Sequence, residues 1–422
     1  MGSCSRRTVP GLVTRERIVA DLRELGVAVG DTVMLHASVG AIGWIVGGPD
    51  QVLRGILDVL GETGTLLMYV GWDGSPYDVT IGVPELPPAL MAAWPAYDPQ
   101  TSRAVRSWGV LSEYLRTWPG ARRSAHPDSS FVAVGANADR LTRDHPLQYG
   151  MGLGSPLAKL CEARGKVLLL GSPLTNVTLL HYAEHLADVP SKEIARYWAP
   201  VLRDGEKEWV QIEEFDTNGC LPWYGPTDLF EAIARDYLQE GQGTVGRVGA
   251  APSYLFDAAE LTAFAVEWIE ERFRDYEPAD FDVEIRPADP SDHRELVALL
   301  GALEEETSGS AVSEARLSTR VDGLIEDPDR RTFVALADGH VVGMLVASRP
   351  TSGRGALAHA FVEPEVRRRG ILRELETDAV AYLRDLGCHT VELHLAVANR
   401  TAGTAWRSLG YLPVLEHLEK SL

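Results

Sequence analysis

The chain has 422 residues, 45% of them hydrophobic and 24% charged, with 40 basic side chains against 60 acidic ones for a formal net charge of −20. That length exceeds one ordinary core, so two domains are expected, and the acidity argues against a nucleic-acid partner while attracting polycations or simply aiding solubility. No run approaches the ~18 apolar residues of a membrane span, the first dozen residues lack a secretory core, and four scattered cysteines (Cys4, Cys161, Cys220, Cys388) without a C-x-x-C pair suit a reducing cytoplasm rather than a disulfide framework or structural zinc.

Thr14 reads as the N-cap of an amphipathic helix ending at Gly26. Residues 31–38 read as a strand entering a Gly-rich turn, 50–60 as a second helix and 64–70 as another strand. Helix and strand alternate in this way to the buried-looking strand at 167–172, which predicts a layered α/β domain with a largely buried sheet. Residues 73–103, rich in Pro, Asp and Tyr, read as a long functional loop. A helix over 259–273 closes the domain, placed at 1–275, and a polar linker follows at 276–282. A second alternation fills 283–422: strand 283–288, helix 291–305, strands 332–337, 341–347 and 358–362, helix 371–386, strand 390–395 and helix 399–409.

The most informative stretch is N-V-T-L-L-H-Y-A-E-H at 176–185, directly after the strand at 167–172. In a helix, His181 and Glu184 share one face, and an imidazole held by a carboxylate is a natural proton acceptor near neutral pH. His181-Tyr182-Ala183-Glu184-His185 also fits the inverted zinc-peptidase pattern, with His181 and His185 as ligands and Glu184 as base. That reading needs a third ligand downstream, where Glu213 and Glu214 read as strand or loop. Two histidines satisfied by ordinary hydrogen bonds are a further alternative.

Ordered motifs across the domain bear on the choice. They include L-H-A-S-V-G-A-I-G-W-I-V-G-G (35–48), G-T-L-L-M-Y-V-G-W-D (64–73), P-G-A-R-R-S-A-H-P-D-S-S (119–130), G-K-V-L-L-L-G-S-P-L-T-N-V-T-L-L-H-Y-A-E (165–184) and E-F-D-T-N-G (214–219). Through these, residues 12–275 resemble the aminoglycoside 3-N-acetyltransferases of the antibiotic N-acetyltransferase family. The resemblance implies a three-layer α/β/α fold and acetyl transfer from acetyl-CoA to the 3-amino group of 2-deoxystreptamine aminoglycosides, conferring resistance and using no metal. His181 is then the general base, with Glu184 orienting the ring, supporting its basicity or binding a substrate ammonium. Thr178 is placed at the thioester or transient oxyanion, or else in core packing. The turn His36-Ala37-Ser38-Val39-Gly40 is implied to contact coenzyme A, together with Arg123 and Ser124, whereas His126 has a structural hydrogen-bonding role. A polycationic acceptor calls for carboxylates, and Asp73, Asp98, Glu214 and Asp216 are the candidates, Asp216 first. The same fold acting on another small-molecule amine is the nearest alternative.

Residues 283–422, through A-F-V-E-P-E-V-R-R-R-G-I-L-R-E-L and N-R-T-A-G-T-A-W-R-S-L-G-Y, resemble the GNAT superfamily of N-acetyltransferases, a smaller mixed α/β fold. The resemblance implies coenzyme contacts at Val362, Arg367 and Gly370, where amides at a helix N-terminus hold a pyrophosphate. Leu372 and Trp406 depart from the pattern, replacing a small residue and a tyrosine acid, and Glu363 is the candidate base. This unit is expected to be either a second acetyltransferase or an accessory, stabilising or dimerising module. The whole is expected to be cytoplasmic, with a homodimer left open.

Overall fold

The computed structural model describes residues 12–190, 192, 194–215, 228–274, 283–308, 312–349, 353–367 and 370–395, with 402–403, 405–406, 409 and 411 beyond them. The chain divides into two compact units, Met1–Glu277 and Pro278–Leu422. Among the described residues no helix is long and apolar enough to cross a membrane.

The first unit opens with α1 (Arg15–Leu25), where the Thr14 hydroxyl accepts from Arg17 N at 3.3 Å and Gly26 ends the helix in the left-handed region at φ 106°. β1 (Thr32–Ala37), α2 (Asp50–Leu60) and β2 (Thr65–Tyr69) follow, then α3 (Val110–Arg116), β3 (Arg122–Arg123), β4 (Phe131–Gly135), α4 (Pro156–Glu162), β5 (Lys166–Leu170) and α5 (Leu180–Leu186). A hairpin of β6 (Ile194–Arg203) and β7 (Glu206–Phe215), then α6 (Leu229–Gln239), β8 (Thr244–Val248), β9 (Ala251–Asp257) and α7 (Ala258–Phe273), complete it. The main sheet has the order β8-β9-β5-β1-β2-β4-β3, with β1 parallel to both β2 and β5 and the remaining pairs antiparallel.

Successive strand side chains point to opposite faces, so the central strands feed two cores. Met34, Leu67, Val167 and Leu169 pack with α4, α5, α6 and α7. Val33, Leu35, Leu66, Leu168 and Leu170 pack with α1 and α2 through Ile18, Leu22, Val52, Leu53 and Ile56. Helices therefore cover both faces of a buried sheet, the three-layer α/β/α arrangement. The stretch 73–103, expected as loop, contains short helices at Tyr77–Thr80 and Pro88–Ala93 and rests on the hairpin: Thr80 Oγ1 donates to Trp198 O at 2.8 Å and Tyr97 N to Pro200 O at 2.8 Å.

The second unit comprises β10 (Val283–Pro287), α8 (His293–Ser308), α9 (Glu314–Glu326), β11 (Arg330–Ala337), β12 (His340–Ser348), β13 (Arg354–Val362), α10 (Ile371–Asp385) and β14 (Thr390–Leu393). Its sheet runs β10-β11-β12-β13-β14, antiparallel except for the parallel pair β13–β14. One face packs on α8 and α9, the other on α10. Helix α9, absent from the sequence reading, packs through Leu317, Val321 and Leu324. Most of the expected helix at 399–409 lies outside the described residues.

Leu168 is fully buried on β5, the strand that leads to the 171–181 segment. Leu168→Ala is expected to cost about 2–5 kcal/mol, lost transfer energy plus the cavity left behind, measured as a shift in the urea midpoint at unchanged m-value.

Candidate active site

Because both faces of the sheet are covered, reactive groups gather at its edge. The parallel strands β1, β2 and β5 all end on one side, at Ala37, Tyr69 and Leu170. The chain leaves β1 toward β2 on one flank and later returns as β5 on the other, which opens a crevice at the carboxyl ends of the strands. Antiparallel β4 begins at this edge, so residues 128–130 arrive there as well.

The loop after β5 turns at Gly171 (φ 63°) and passes a short 3-10 turn before α5. His181 lies in the first turn of α5, half-buried, and its Nδ1 meets Glu184 Oε2 at 2.8 Å. A carboxylate can only accept, so Nδ1 carries the proton and Nε2 keeps its lone pair. The Glu184 side chain is 2% exposed against 26% for His181, so the ring is fixed from beneath while one side stays reachable. Phe230 at the start of α6 meets the imidazole edge-on at 4.7 Å.

One turn further on, His185 Nε2 lies 2.8 Å from Glu214 Oε1 at the end of β7. The three residues of the inverted zinc pattern are thus divided between two histidine–carboxylate pairs. Among the described residues no group of three or more His, Cys, Asp and Glu is arranged to hold a metal ion. The second pair is enclosed by a loop at 145–152 that comes close because it has no side chain there: a Cβ on Gly152 would sit 2.6 Å from His185 Nδ1. Two neutral imidazoles hold that loop. His126 Nε2 donates to Leu147 O at 3.1 Å while its Nδ1 accepts from Ser129 N at 2.8 Å, the structural role expected of it. His145 Nε2 donates to Gly150 O at 2.6 Å, and Nδ1 accepts from the Ser124 hydroxyl at 2.9 Å. Burial pushes the His126 imidazole down to about 4 and His145 well below its ordinary value.

His36 to Gly40 leave β1 at the same edge. Ser38 N is tied to Leu170 O at 2.9 Å, and Ser38 and Gly40 are exposed; a Cβ on Gly40 would meet open space. Nε2 of His36 is buried without a hydrogen-bond partner among the described residues, and burial pushes its imidazole down to about 4. An orphaned polar atom beside an open turn fits a ligand with donors or acceptors of its own. Nearby, a pocket of about 520 Å³ is lined by Gly171, Ser172, Leu174, Glu231, Arg235 and Tyr254 among others. Thr178, half-buried, sits one turn before His181, whose N–H donates to Thr178 O at 3.1 Å.

Arg123 and Ser124, expected to touch the coenzyme, are instead occupied within the protein. The Arg123 guanidinium donates to Ser102 O and Gly71 O and, at 3.1 Å, to Ser130 Oγ. Ser124 is fully buried, its hydroxyl accepting from Phe131 N at 2.9 Å. The expected acids separate too. Asp98 caps its own turn, accepting from Gln100 N at 2.9 Å and Thr101 Oγ1 at 2.7 Å. Asp73 accepts from Arg106 N at 3.1 Å. Glu214 belongs to the His185 pair, and Asp216 lies outside the described residues. Asp128, not singled out by sequence, accepts from Ser75 Oγ at 2.8 Å. Burial pushes its carboxyl up to about 6, with Asp78 and Glu214 adding like charge against the Ser75 hydrogen bond. The nearby Tyr197 hydroxyl is buried and, among the described residues, unpartnered.

In the second unit, Gly370 begins α10 with φ 81° and Leu372 turns onto the core. Arg367 is engaged, with Nη2 2.5 Å from Glu306 Oε2 and Nε donating to Val362 O at 2.8 Å. Arg368 and Arg369 lie outside the described residues. Trp406 is buried in the core against Tyr411, whose hydroxyl donates to Glu376 at 2.9 Å.

Comparison with known proteins gives these features a family. Residues 34–270 match the model of the aminoglycoside 3-N-acetyltransferases, and residues 296–411 that of the acetyltransferase (GNAT) family. Aminoglycoside N(3)-acetyltransferase III of Pseudomonas aeruginosa is 48% identical over 266 residues, spanning 62% of this chain and 95% of that protein. Aminoglycoside N(3)-acetyltransferase VIII of Streptomyces fradiae is 49% identical over 268 residues, 62% of this chain and 93% of its own. Among solved structures, AAC-IIIb in a binary complex with CoASH superimposes with a TM-score of 0.60 at 47% identity, over 63% of this chain and 100% of that one. AAC-VIa bound to sisomicin does so with a TM-score of 0.60 at 40% identity, over 62% and 98%. By its sequence across the whole first unit and by the fold that carries His181 to the edge of the sheet, the chain belongs to the aminoglycoside 3-N-acetyltransferase family.

Proposed function

We propose that the first unit transfers acetyl from acetyl-CoA to the 3-amino group of 2-deoxystreptamine aminoglycosides, conferring resistance, with His181 as the general base. The observation that carries this reading is the 2.8 Å bond from His181 Nδ1 to the buried Glu184, which leaves Nε2 as the only basic atom of the ring. An amino group of the antibiotic is an ammonium at neutral pH and has no lone pair to attack with. His181 Nε2 removes that proton, and Glu184 stabilises the imidazolium that forms, the role a buried carboxylate plays behind a catalytic histidine. When bound, acetyl-CoA supplies a thioester carbonyl for the freed amine and a thiolate as leaving group. The Thr178 hydroxyl, one turn before the base, is placed to donate toward the charge that develops on the carbonyl oxygen. Imidazolium then returns its proton to the departing sulfur. Attack is direct: the one cysteine described in this unit, Cys161, is pushed up to about 11 by burial and hydrogen-bonds Thr262, so it is no nucleophile.

The turn His36 to Gly40 and the adjoining pocket at Gly171, Arg235 and Tyr254 accommodate the coenzyme arm, with the buried His36 Nε2 open to a polar group of that arm. The polycation is held on the opposite flank. Asp128 and Glu214 carry negative charge into a partly dehydrated wall, where an ammonium relieves their mutual repulsion, and the Tyr197 hydroxyl gains a sugar oxygen as partner. A related enzyme bound to sisomicin and another bound to CoASH support these two ligand classes. We place the protein in the cytoplasm, where acetyl-CoA is made.

His181→Ala is expected to lower kcat about 10²–10⁴-fold with little change in thermal midpoint, since the ring is partly exposed; near-normal turnover would remove His181 as the base. Glu184→Gln keeps an acceptor for Nδ1 but loses the charge, and steady-state kinetics should show the loss in kcat rather than KM. Asp128 gives a second test. Its folded carboxyl binds a proton more tightly than the unfolded one, so it favours the folded chain at low pH and that contribution is lost as pH rises through about 6. Asp128→Asn should flatten the fall in stability between about pH 4 and 6 in urea titrations, and raise the aminoglycoside KM about tenfold or more.

A further inference from the structure

Strand β13 of the second unit carries a histidine that neither the core nor the first unit's chemistry uses. Its antiparallel pairing with β12 slips between Met344 and Val346: Met344 faces Phe361, but Val346 faces Ala358, so β13 holds an extra residue there. At this bulge His359 has a φ of 51°, a left-handed backbone that a residue other than glycine adopts only when its surroundings impose it. On the other edge, β13 pairs in parallel with β14 from Arg354–Thr390 to Leu357–Leu393 and no further, although β13 runs on to Val362. The strands part from Ala358 onward, and His359 lies two residues past the last pair.

A bulge re-aims a side chain that regular alternation would direct elsewhere. Leu357 and Val362 pack on the α10 side and Phe361 on the α8–α9 side. His359, half-buried, faces Glu304 of α8, Arg320 of α9 and Arg330 of β11. Burial lowers its imidazole, Arg320 and Arg330 add to that and Glu304 opposes it, so the ring is neutral at neutral pH. Glu304 and Arg320 are paired at 2.7 Å, and Arg330 lies 3.2 Å from Asp327. By contrast Glu363, the base expected from sequence, sits past the strand end, where its N–H donates to Val342 O at 2.9 Å and it borders a separate pocket with Glu295, Asp338 and His340.

We propose that the second unit is an acyl-transfer centre of its own, in which His359 accepts the proton of a primary amine held in the opening between β13 and β14. The match of residues 296–411 to an acetyltransferase family supplies the donor class, an acyl-coenzyme A thioester; the bulge and the parting strands supply the place. The ammonium gives its proton to the imidazole, the freed nitrogen bonds to the thioester carbonyl carbon, the C–S bond breaks, and the thiolate takes the proton back from the imidazolium. Amine and thioester are the only reactants consumed. Nothing in this step involves His181, so the two centres stand or fall separately.

The test uses the full chain with His181→Ala, which silences the first centre, and measures thiol release from acetyl-CoA with ethylamine as the acceptor probe. His359→Asn is added because Asn tolerates a left-handed backbone and cannot act as a base. Amine-dependent release is expected in the His181→Ala chain and should fall about 100-fold on adding His359→Asn, at an unchanged thermal midpoint. In the otherwise unaltered chain, His359→Asn should leave aminoglycoside acetylation within about twofold, because that rate reports only on the first centre. No ethylamine-dependent release from the His181→Ala chain, or release that His359→Asn does not reduce, overturns the proposal.

Discussion

A sheet buried on both faces restricts where chemistry can occur. In the first unit every central strand alternates its side chains between two apolar layers, Val167 and Leu169 into one and Leu168 and Leu170 into the other. A polar group in the middle of such a strand would lose its hydration without gaining a partner, at a cost of roughly 1–3 kcal/mol or more. Polar function is therefore displaced to the strand ends. Three parallel strands end together, so the groups displaced from β1, β2 and β5 converge on one crevice rather than scattering around the rim. His36 marks the transition: it follows Leu35, fully within the layer, and its ring nitrogen is already an orphan.

Helix α5 turns that convergence into a geometry. Its first turn presents His181 to the crevice, and three residues later Glu184 binds the same ring from the buried side. The next turn sends His185 to Glu214, which fastens the end of the β6–β7 hairpin to the helix carrying the base. The wall that approaches from the hairpin is thereby registered against His181 through one seven-residue helix. Gly152 permits this, because any side chain there would displace His185. The neutral imidazoles of His126 and His145 hold the glycine-bearing loop without introducing charge into the space behind the crevice.

Legibility followed the range of the interaction. Helix α1 was readable to its caps because Thr14 and Gly26 act locally, and the His181–Glu184 pair because helical spacing alone brings the two together. The hairpin went unread although Asp204-Gly205, both with positive φ, is a strong turn signal between two strands; the flanking runs are polar and fail a test for buried strands. Asp128 was invisible for a different reason. Nothing in H-P-D-S-S shows that its carboxyl is dehydrated, since that follows from distant residues folding over it. Arg123 and Ser124 failed in the opposite sense: residue types that suit a coenzyme are consumed by Gly71, Ser102, Ser130 and Phe131, partners the sequence does not place.

The two units meet one chemical requirement by different structural means. To acetylate an amine, a neutral base must stand beside a thioester in a place that admits both ligands. In the first unit the opening comes from topology, parallel strands ending at a switch point, and the base comes from the helix that follows. In the second unit the sheet is mostly antiparallel, so strand ends do not converge and the opening must form within the sheet itself. There β13 loses register with one neighbour at a bulge and parts from the other after Leu357. A residue at that point is freed from the alternation that would otherwise commit it to a core. His359 is the residue so freed, and its left-handed backbone is what the fold tolerates to keep an imidazole there.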